Sequence, residues 1–196
     1  MTWIVLATED ELSEQVGLCL AAEAGLDVGQ RLRKNGNGYL RSRIPNFCQM
    51  AQQQPVFLIT DLDQSTSASS LIADWFGQTP CPANFLFRIA IREVEAWLLA
   101  DHDAIRALFG RRVGRLPDSP DNLPDPKQAL LALADLAPRR IREEVVVKRG
   151  SVASQGIGYN PVLCAWVRDT WQASRAAGRS PSLARTIDRL QELADR

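Results

Sequence analysis

The sequence contains little histidine and no cysteine motif. Among 196 residues there is one histidine, His102, which we interpret as a surface residue at a helix junction. A structural zinc site requires clustered cysteine and histidine ligands, and no two cysteines have Cys-x-x-Cys spacing, so such a site is not expected. Cys19 and Cys164 fall within helical patterns and are interpreted as small buried hydrophobic residues.

A long apolar segment is also missing. The apolar runs are only a few residues long, as in Trp3–Ala7, whereas a membrane-spanning helix needs roughly 20 apolar residues. No basic segment precedes that run, so we expect no signal peptide, no membrane contact and a cytoplasmic protein. Hydrophobic residues make up 45% and charged residues 23% of the chain, which is typical of a globular domain and excludes a disordered tail or a coiled-coil rod.

The charge is balanced overall but unevenly distributed along the chain. There are 23 basic and 23 acidic residues, and only three of the basic residues are lysine. Residues 28–60 contain no acid and five bases, namely Arg31, Arg33, Lys34, Arg41 and Arg43. Arginine suits bidentate contact with phosphate. This segment is therefore either a phosphate-binding edge or a solvated helix and loop surface.

Three short apolar segments predict buried β-strands. Trp3–Ala7 and Pro55–Thr60 are continuous apolar runs, as in strands that are covered on both faces. Phe85–Ile91 alternates large apolar residues on one face.

Helical periodicity follows each of these strands. Asp10–Ala24 is predicted as a helix with Thr8 as its N-cap in a capping-box pattern. The other predicted helices are Leu40–Gln53, with Pro45 in its first turn or bending it, Ala68–Phe76, and a segment that starts at Arg92. This alternation predicts an α/β fold with a mostly parallel sheet.

A proline-rich segment divides the chain. Residues 111–126 contain four prolines, so we predict an α/β core over 1–110 and a helical C-terminal part over 111–196 that packs on it. Asp125 and Ser180 are predicted caps of helices that begin at Pro126 and Pro181. Leu163, Trp166, Val167 and Trp171 line a further predicted helix of this part.

Acidic residues follow all three predicted strands. They are Glu9 or Asp10 after the first strand, Asp61 and Asp63 after the second, and Glu93 and Glu95 after the third. If the strands are parallel, these carboxylates meet at one edge of the sheet, where ligands of such sheets collect. Mg²⁺ prefers carboxylate oxygens and can neutralise charge on a phosphate. Each motif also has a local explanation as a helix cap, an acidic first turn or an ion-pair ladder.

The strand-end residues resemble the Toprim arrangement of topoisomerases, primases and OLD nucleases, in which an apolar strand ends in glutamate and a later one ends in Asp-x-Asp. More narrowly, residues 56–63 followed by Arg92-Glu93-Val94-Glu95-Ala96-Trp97 resemble a Toprim-like bacterial family of unknown function. Members of that family are encountered among phage-defence genes. The resemblance covers about residues 3–101.

The resemblance implies roles for the acidic residues. Glu9 would be the Toprim glutamate, a general base or metal-orienting group, and Asp61 and Asp63 would bind Mg²⁺ or Mn²⁺. Glu93 and Glu95 have no counterpart in the minimal motif and are interpreted as additional metal ligands or as residues that hold Arg92. Asp10 stands where glycine usually follows the Toprim glutamate, so the register among Glu9, Asp10 and Glu11 stays open.

The leading functional hypothesis is a metal-dependent phosphoryl-transfer enzyme, most simply a nuclease acting on DNA or RNA. The basic segment would hold the nucleic-acid backbone, and Lys148 and Arg149, beside a glycine-rich loop, would add a second contact. One alternative is a non-catalytic Toprim-like sensor or subunit that works with a partner such as an ATPase or another defence protein. Another is a metal-dependent phosphatase acting on small nucleotides. The sequence leaves the oligomeric state open.

Overall fold

The protein contains a four-stranded, all-parallel sheet flanked by helices. A computed structural model describes residues 2–33, 36–147 and 152–196. The strands are β1 (Trp3–Thr8), β2 (Asp27–Arg33), β3 (Val56–Asp61) and β4 (Phe85–Ala90), in the spatial order β2-β1-β3-β4. The predicted α/β class with a parallel sheet and C-terminal helices is therefore confirmed.

Helices connect the strands and make up the C-terminal part. They are α1 (Glu11–Glu23), α2 (Asn37–Ser42), α3 (Ile44–Met50), α4 (Ala68–Phe76), α5 (Glu95–Ala100), α6 (His102–Phe109), α7 (Pro126–Asp135), α8 (Arg139–Val145), α9 (Tyr159–Asp169), α10 (Ala173–Ala176) and α11 (Pro181–Ala194). A short 3₁₀ helix spans Pro120–Asn122. Within the described ranges, none of these helices is both long and apolar enough to cross a membrane.

The sheet separates two hydrophobic clusters because successive strand residues point to opposite faces. On β1, Ile4 and Leu6 join the larger cluster, which also contains residues of α1, α5, α6 and α7 and of the helices after it. Val5 and Ala7 join the smaller cluster, which is covered by α2, α3 and α4. Residues on both sides of position 111 belong to the larger cluster, so the C-terminal helices share a core with the sheet.

Three local predictions are wrong. No strand was predicted in the basic segment, but its first part belongs to β2, because its backbone pairs with β1 despite the exposed side chains. Asp10, not Thr8, caps α1: its Oδ1 accepts a hydrogen bond from Ser13 N at 2.8 Å, while Thr8 is the buried last residue of β1. The predicted helix Leu40–Gln53 is two helices, α2 and α3, and Pro45 lies in the first turn of α3.

A buried aspartate joins the end of α5 to the C-terminal helices. Asp101 is 1% exposed, and its Oδ1 caps α6 through Ala104 N at 3.2 Å. Its Oδ2 accepts hydrogen bonds from Gln172 N at 2.9 Å and from Arg175 Nη2 at 2.8 Å. A buried carboxylate is stable only when its oxygens are paired in this way, so Asp101 fixes the segment before α10 against the core.

Asp101→Ala should lower the free energy of unfolding by about 3 kcal/mol, because it removes a helix cap and leaves Arg175 without its partner. Urea denaturation followed by circular dichroism measures the loss. Asp103→Ala, at an exposed position two residues later, is the matched control and should change the free energy far less. Equal effects of the two substitutions would contradict this role of Asp101.

Candidate functional site

Five acidic residues lie at the carboxyl edge of the three adjacent strands β1, β3 and β4. They are Glu9 after β1, Asp61 and Asp63 at the end of β3, and Glu93 and Glu95 after β4. The strands are parallel, so each chain leaves the sheet at the same edge. The convergence predicted from the sequence therefore follows from the topology, and hydrogen bonds link the strand ends directly.

Glu9 connects the ends of β1 and β3. Its Oε1 accepts hydrogen bonds from the Thr60 hydroxyl and from Asp61 N, the latter at 3.2 Å. Burial raises the pKa of the Glu9 carboxyl, and the charges of Asp63 and Asp10 raise it further, whereas the two hydrogen bonds lower it. Glu9 is the first residue after β1, and the side chain of the next residue, Asp10, caps α1.

Asp61 lies between the ends of β3 and β4. Its Oδ1 accepts a hydrogen bond from Val94 N at 2.9 Å. Burial raises the pKa of the Asp61 carboxyl well above its usual range, and the nearby charges of Glu95 and Glu9 raise it further. The part of this rise that comes from Glu95 and Glu9 reflects repulsion among the carboxylates at this edge.

Asp63 and Arg92 hold each other in a strained backbone conformation. Their φ angles are +50° and +62°, in the left-handed region that non-glycine residues rarely adopt. Asp63 N donates to Arg92 O, and Arg92 Nη1 donates to Asp63 O, each at 2.9 Å. The Asp63 carboxylate accepts from Asn37 Nδ2 at 3.1 Å, which brings the start of α2 to this edge. Strain of this kind is concentrated at functional sites.

The C-terminal helices supply partners for the two glutamates that follow β4. Glu93 Oε2 accepts a hydrogen bond from Lys127 N at 2.8 Å, and burial raises the pKa of Glu93. Glu95 is 5% exposed and accepts a hydrogen bond from Tyr159 OH at 2.7 Å. Burial raises the pKa of Glu95 to about 7. Arg92, the partner suggested by the sequence, instead donates to Asp63 O.

A lysine ammonium lies beside these glutamates. Lys127 Nζ is 5.2 Å from the centroid of the Tyr159 ring, and its charge lowers the pKa of both Glu93 and Glu95. Sequence reasoning missed Lys127 and Tyr159, which are more than 30 residues away from Glu93 in the chain. No local motif marks either residue.

The acidic residues have the donor chemistry that Mg²⁺ or Mn²⁺ requires. They offer hard carboxylate oxygens in a region of excess negative charge. In the described part of the chain, however, no three carboxylate, histidine or cysteine side chains are grouped closely enough to hold an ion as they stand. The carboxylates instead accept hydrogen bonds from protein donors, so metal binding would require side chains such as Glu9 and Asp61 to reorient.

The predicted basic residues divide into two groups. Arg31 and Arg33 lie on β2, and Arg33 pairs in register with Thr8, next to Glu9. Arg33 Nε also contacts Glu14 Oε2 at 3.2 Å. Arg41 binds Asp74 at 2.6 Å, and the Arg43 guanidinium carbon is 5.9 Å from the Tyr39 ring centroid. Lys34, Lys148 and Arg149 lie outside the described residues.

The raised pKa of Glu95 predicts a pH-dependent stability. Between its ordinary value of 4.5 and about 7, the native carboxyl keeps a proton that the unfolded chain has released. The stability of the fold therefore falls as pH rises through this window. Glu95→Gln, which keeps an acceptor for Tyr159, should remove this contribution.

At pH 8 we expect the Glu95→Gln variant to be more stable than the wild type by about 3 kcal/mol. At pH 4.5 the two should be nearly equal in stability. Urea titrations at both pH values measure the difference. Glu11→Gln changes an exposed glutamate and is the control. A Glu95→Gln variant that shows no advantage at pH 8 would contradict the burial cost assigned to Glu95.

Comparisons with protein-family models, with curated proteins and with solved structures give no match to this chain. The geometry of the acidic edge and the charge beside it are therefore the basis for assigning a function.

Proposed function

We propose that the protein is a Mg²⁺- or Mn²⁺-dependent phosphoryl-transfer enzyme, and specifically a nuclease that acts on DNA or RNA. The observation that carries this proposal is the meeting of carboxylates from three adjacent parallel strands at one edge, linked through Glu9, Asp61 and Val94. The repulsion that Glu95 and Glu9 exert on the Asp61 carboxyl supports it, because a divalent cation would relieve that repulsion.

The acidic residues take distinct roles in this proposal. Glu9, Asp61 and Asp63 hold the cation, and Glu93 and Glu95 extend the carboxylate shell. When bound, the ion supplies charge neutralisation at the phosphate and activation of water. The raised pKa of Glu9 suits it to accept a proton from the attacking water. The Lys127 ammonium adds positive charge at the C-terminal side of the site.

The substrate class rests on the edge strand next to the acids. Arg31 and Arg33 are exposed on β2, at the end of the sheet where Glu9 lies. Guanidinium groups in this position would contact phosphates of a nucleic-acid backbone without distinguishing its sequence. A phosphatase acting on small nucleotides would use the same acids and would not need these arginines.

Metal binding is tested by calorimetric titration of Mg²⁺ and Mn²⁺ into the purified protein. We expect saturable binding in the wild type and at least tenfold weaker binding in an Asp61→Asn/Asp63→Asn variant, because asparagine keeps the hydrogen bonds but removes two charges. Asp103→Asn/Asp135→Asn, which changes two exposed aspartates on α6 and α7, is the matched control.

Binding that is equal in all three proteins, or missing from the wild type, would contradict a metal centre at this edge. It would favour a non-catalytic module that works with a partner protein. If the wild type binds the metal, oligonucleotide cleavage in the same buffer then tests the proposed reaction.

Neutralising the β2 edge separates a nuclease from a phosphatase. Arg31→Gln/Arg33→Gln/Lys34→Gln should slow oligonucleotide cleavage and flatten its salt dependence, since each lost phosphate contact reduces the salt slope by about one. Hydrolysis of bis(p-nitrophenyl) phosphate, which is too small to reach β2, should be unchanged. Arg139→Gln/Arg140→Gln/Arg142→Gln on α8 is the control for net charge. Equal losses on both substrates would contradict backbone binding by β2.

A further inference from the structure

A cavity lies along the outer edge of β4, away from the acidic residues. Its volume is about 200 Å³, and it is lined by Ile72 and Phe76 of α4, Cys81, four consecutive β4 residues (85–88) and Arg189 of α11. Successive strand residues point to opposite faces of a sheet. A cavity that touches four of them in a row therefore runs along the strand edge, between α4 and α11.

The backbone of this edge has unused pairing capacity. β4 is the last strand of the described sheet and pairs with β3 on one side only. The Asn84 carbonyl accepts a hydrogen bond from Val56 N of β3, and the Ala90 carbonyl accepts one from Leu62 N, the residue after β3. Polar groups alternate in direction along a parallel strand. The N–H and C=O groups of Phe87 and Ile89 therefore point outward, towards the position of an additional strand.

The two walls of this edge differ in chemistry. The wall formed by α4 is apolar: Phe76 packs edge-to-face on Phe87 with ring centroids 5.1 Å apart, and Ile72 remains 41% exposed. The wall on the side of α11 is basic: Arg88 of β4 and Arg189 of α11 line the cavity, and the charge of Arg185 on α11 acts on Arg88. A strand added here would place alternate side chains against the apolar and the basic wall.

The positive charge at the basic wall is only partly neutralised. Arg88 Nε donates to Thr186 Oγ1 at 3.4 Å, and Arg189 Nη1 forms an ion pair with Glu192. Burial lowers the pKa of Arg88, the charges of Arg189 and Arg185 lower it further, and Glu192 opposes them. A carboxylate brought close to Arg88 would relieve this repulsion.

We propose that the outer edge of β4 binds an extended segment of a partner protein as a fifth strand, with apolar side chains towards α4 and acidic side chains towards α11. Backbone pairing supplies affinity and the two walls supply specificity, as in other complexes formed by strand addition. The recognised sequence alternates apolar and acidic residues. This surface is independent of the acidic site and of the nuclease proposal.

The geometry favours a peptide over a nucleic acid. Phe76, Phe85 and Phe87 pack against one another and are all buried, so they offer no open ring face for stacking of bases. The unpaired backbone groups of Phe87 and Ile89 match a strand, whereas a phosphate backbone would use the arginines alone.

The test uses the full-length protein and a fluorescein-labelled octapeptide of alternating valine and glutamate, with binding followed by fluorescence anisotropy. Because the peptide repeats every two residues, all of its glutamates lie on one face, and a shift of two residues along β4 keeps that face towards α11. We expect saturable binding of the peptide by the wild type. The Arg185→Glu/Arg189→Glu variant, which reverses two exposed charges, should bind the peptide at least tenfold more weakly. Arg139→Glu/Arg140→Glu on α8 should bind as the wild type does.

Two further peptides test the strand pairing itself. One carries N-methyl groups on every valine and the other on every glutamate, so that each loses the N–H groups on one edge. We expect one of them to lose binding and the other to keep it, because only one edge of the peptide faces β4.

Several outcomes would overturn the proposal. They are no binding at about 1 mM peptide, equal binding by the two arginine variants, or retention of binding by both N-methylated peptides. A single-stranded oligonucleotide is also tested as a competitor. If it displaces the peptide, and if its own binding is lost in the Arg185→Glu/Arg189→Glu variant, the surface binds nucleic acid instead. Thermal unfolding by circular dichroism confirms that each variant is folded.

Discussion

The parallel pairing of β1, β3 and β4 is the constraint on which the candidate site depends. Each strand carries its acids just past its last residue, so in-register pairing forces the carboxylates together at one edge. The cost of gathering like charges is offset locally by donors from the neighbouring strand: Thr60 and Asp61 N for Glu9, and Val94 N for Asp61. Burial raises the pKa of Asp61, and the remaining repulsion from Glu95 and Glu9 raises it further.

The C-terminal helices are part of the same construction. Lys127 N at the start of α7 and Tyr159 OH at the start of α9 satisfy Glu93 and Glu95, which the sheet alone would leave buried without partners. The hydrophobic core is also continuous across the predicted joint at 111–126. The C-terminal helices therefore pack on the sheet through a hydrophobic cluster that contains residues from both parts of the chain.

Local patterns sufficed where burial and chain direction agreed. The apolar runs that became β1 and β3 were visible because a strand covered on both faces must be apolar throughout, and β4 was visible from large apolar residues that alternate on one face. The helix Ala68–Phe76 was predicted with its bounds, and the helix opened by Pro181 was predicted with its cap Ser180, since a capping side chain acts within three residues. β2 escaped prediction because its side chains are mostly exposed, and only the hydrogen bonds to β1 make it a strand.

The sequence by itself determined the α/β class, the strand ends that carry acids and the basic segment beside them, because these depend on composition and on the alternation of short apolar runs. Only the tertiary structure decided the partners of each carboxylate, the strained pairing of Asp63 with Arg92, and the place of Lys127 and Tyr159 at the site. Those contacts join residues about 30 to 65 positions apart in the chain. Contacts over such separations are set by how the helices pack on the sheet, which no local pattern encodes.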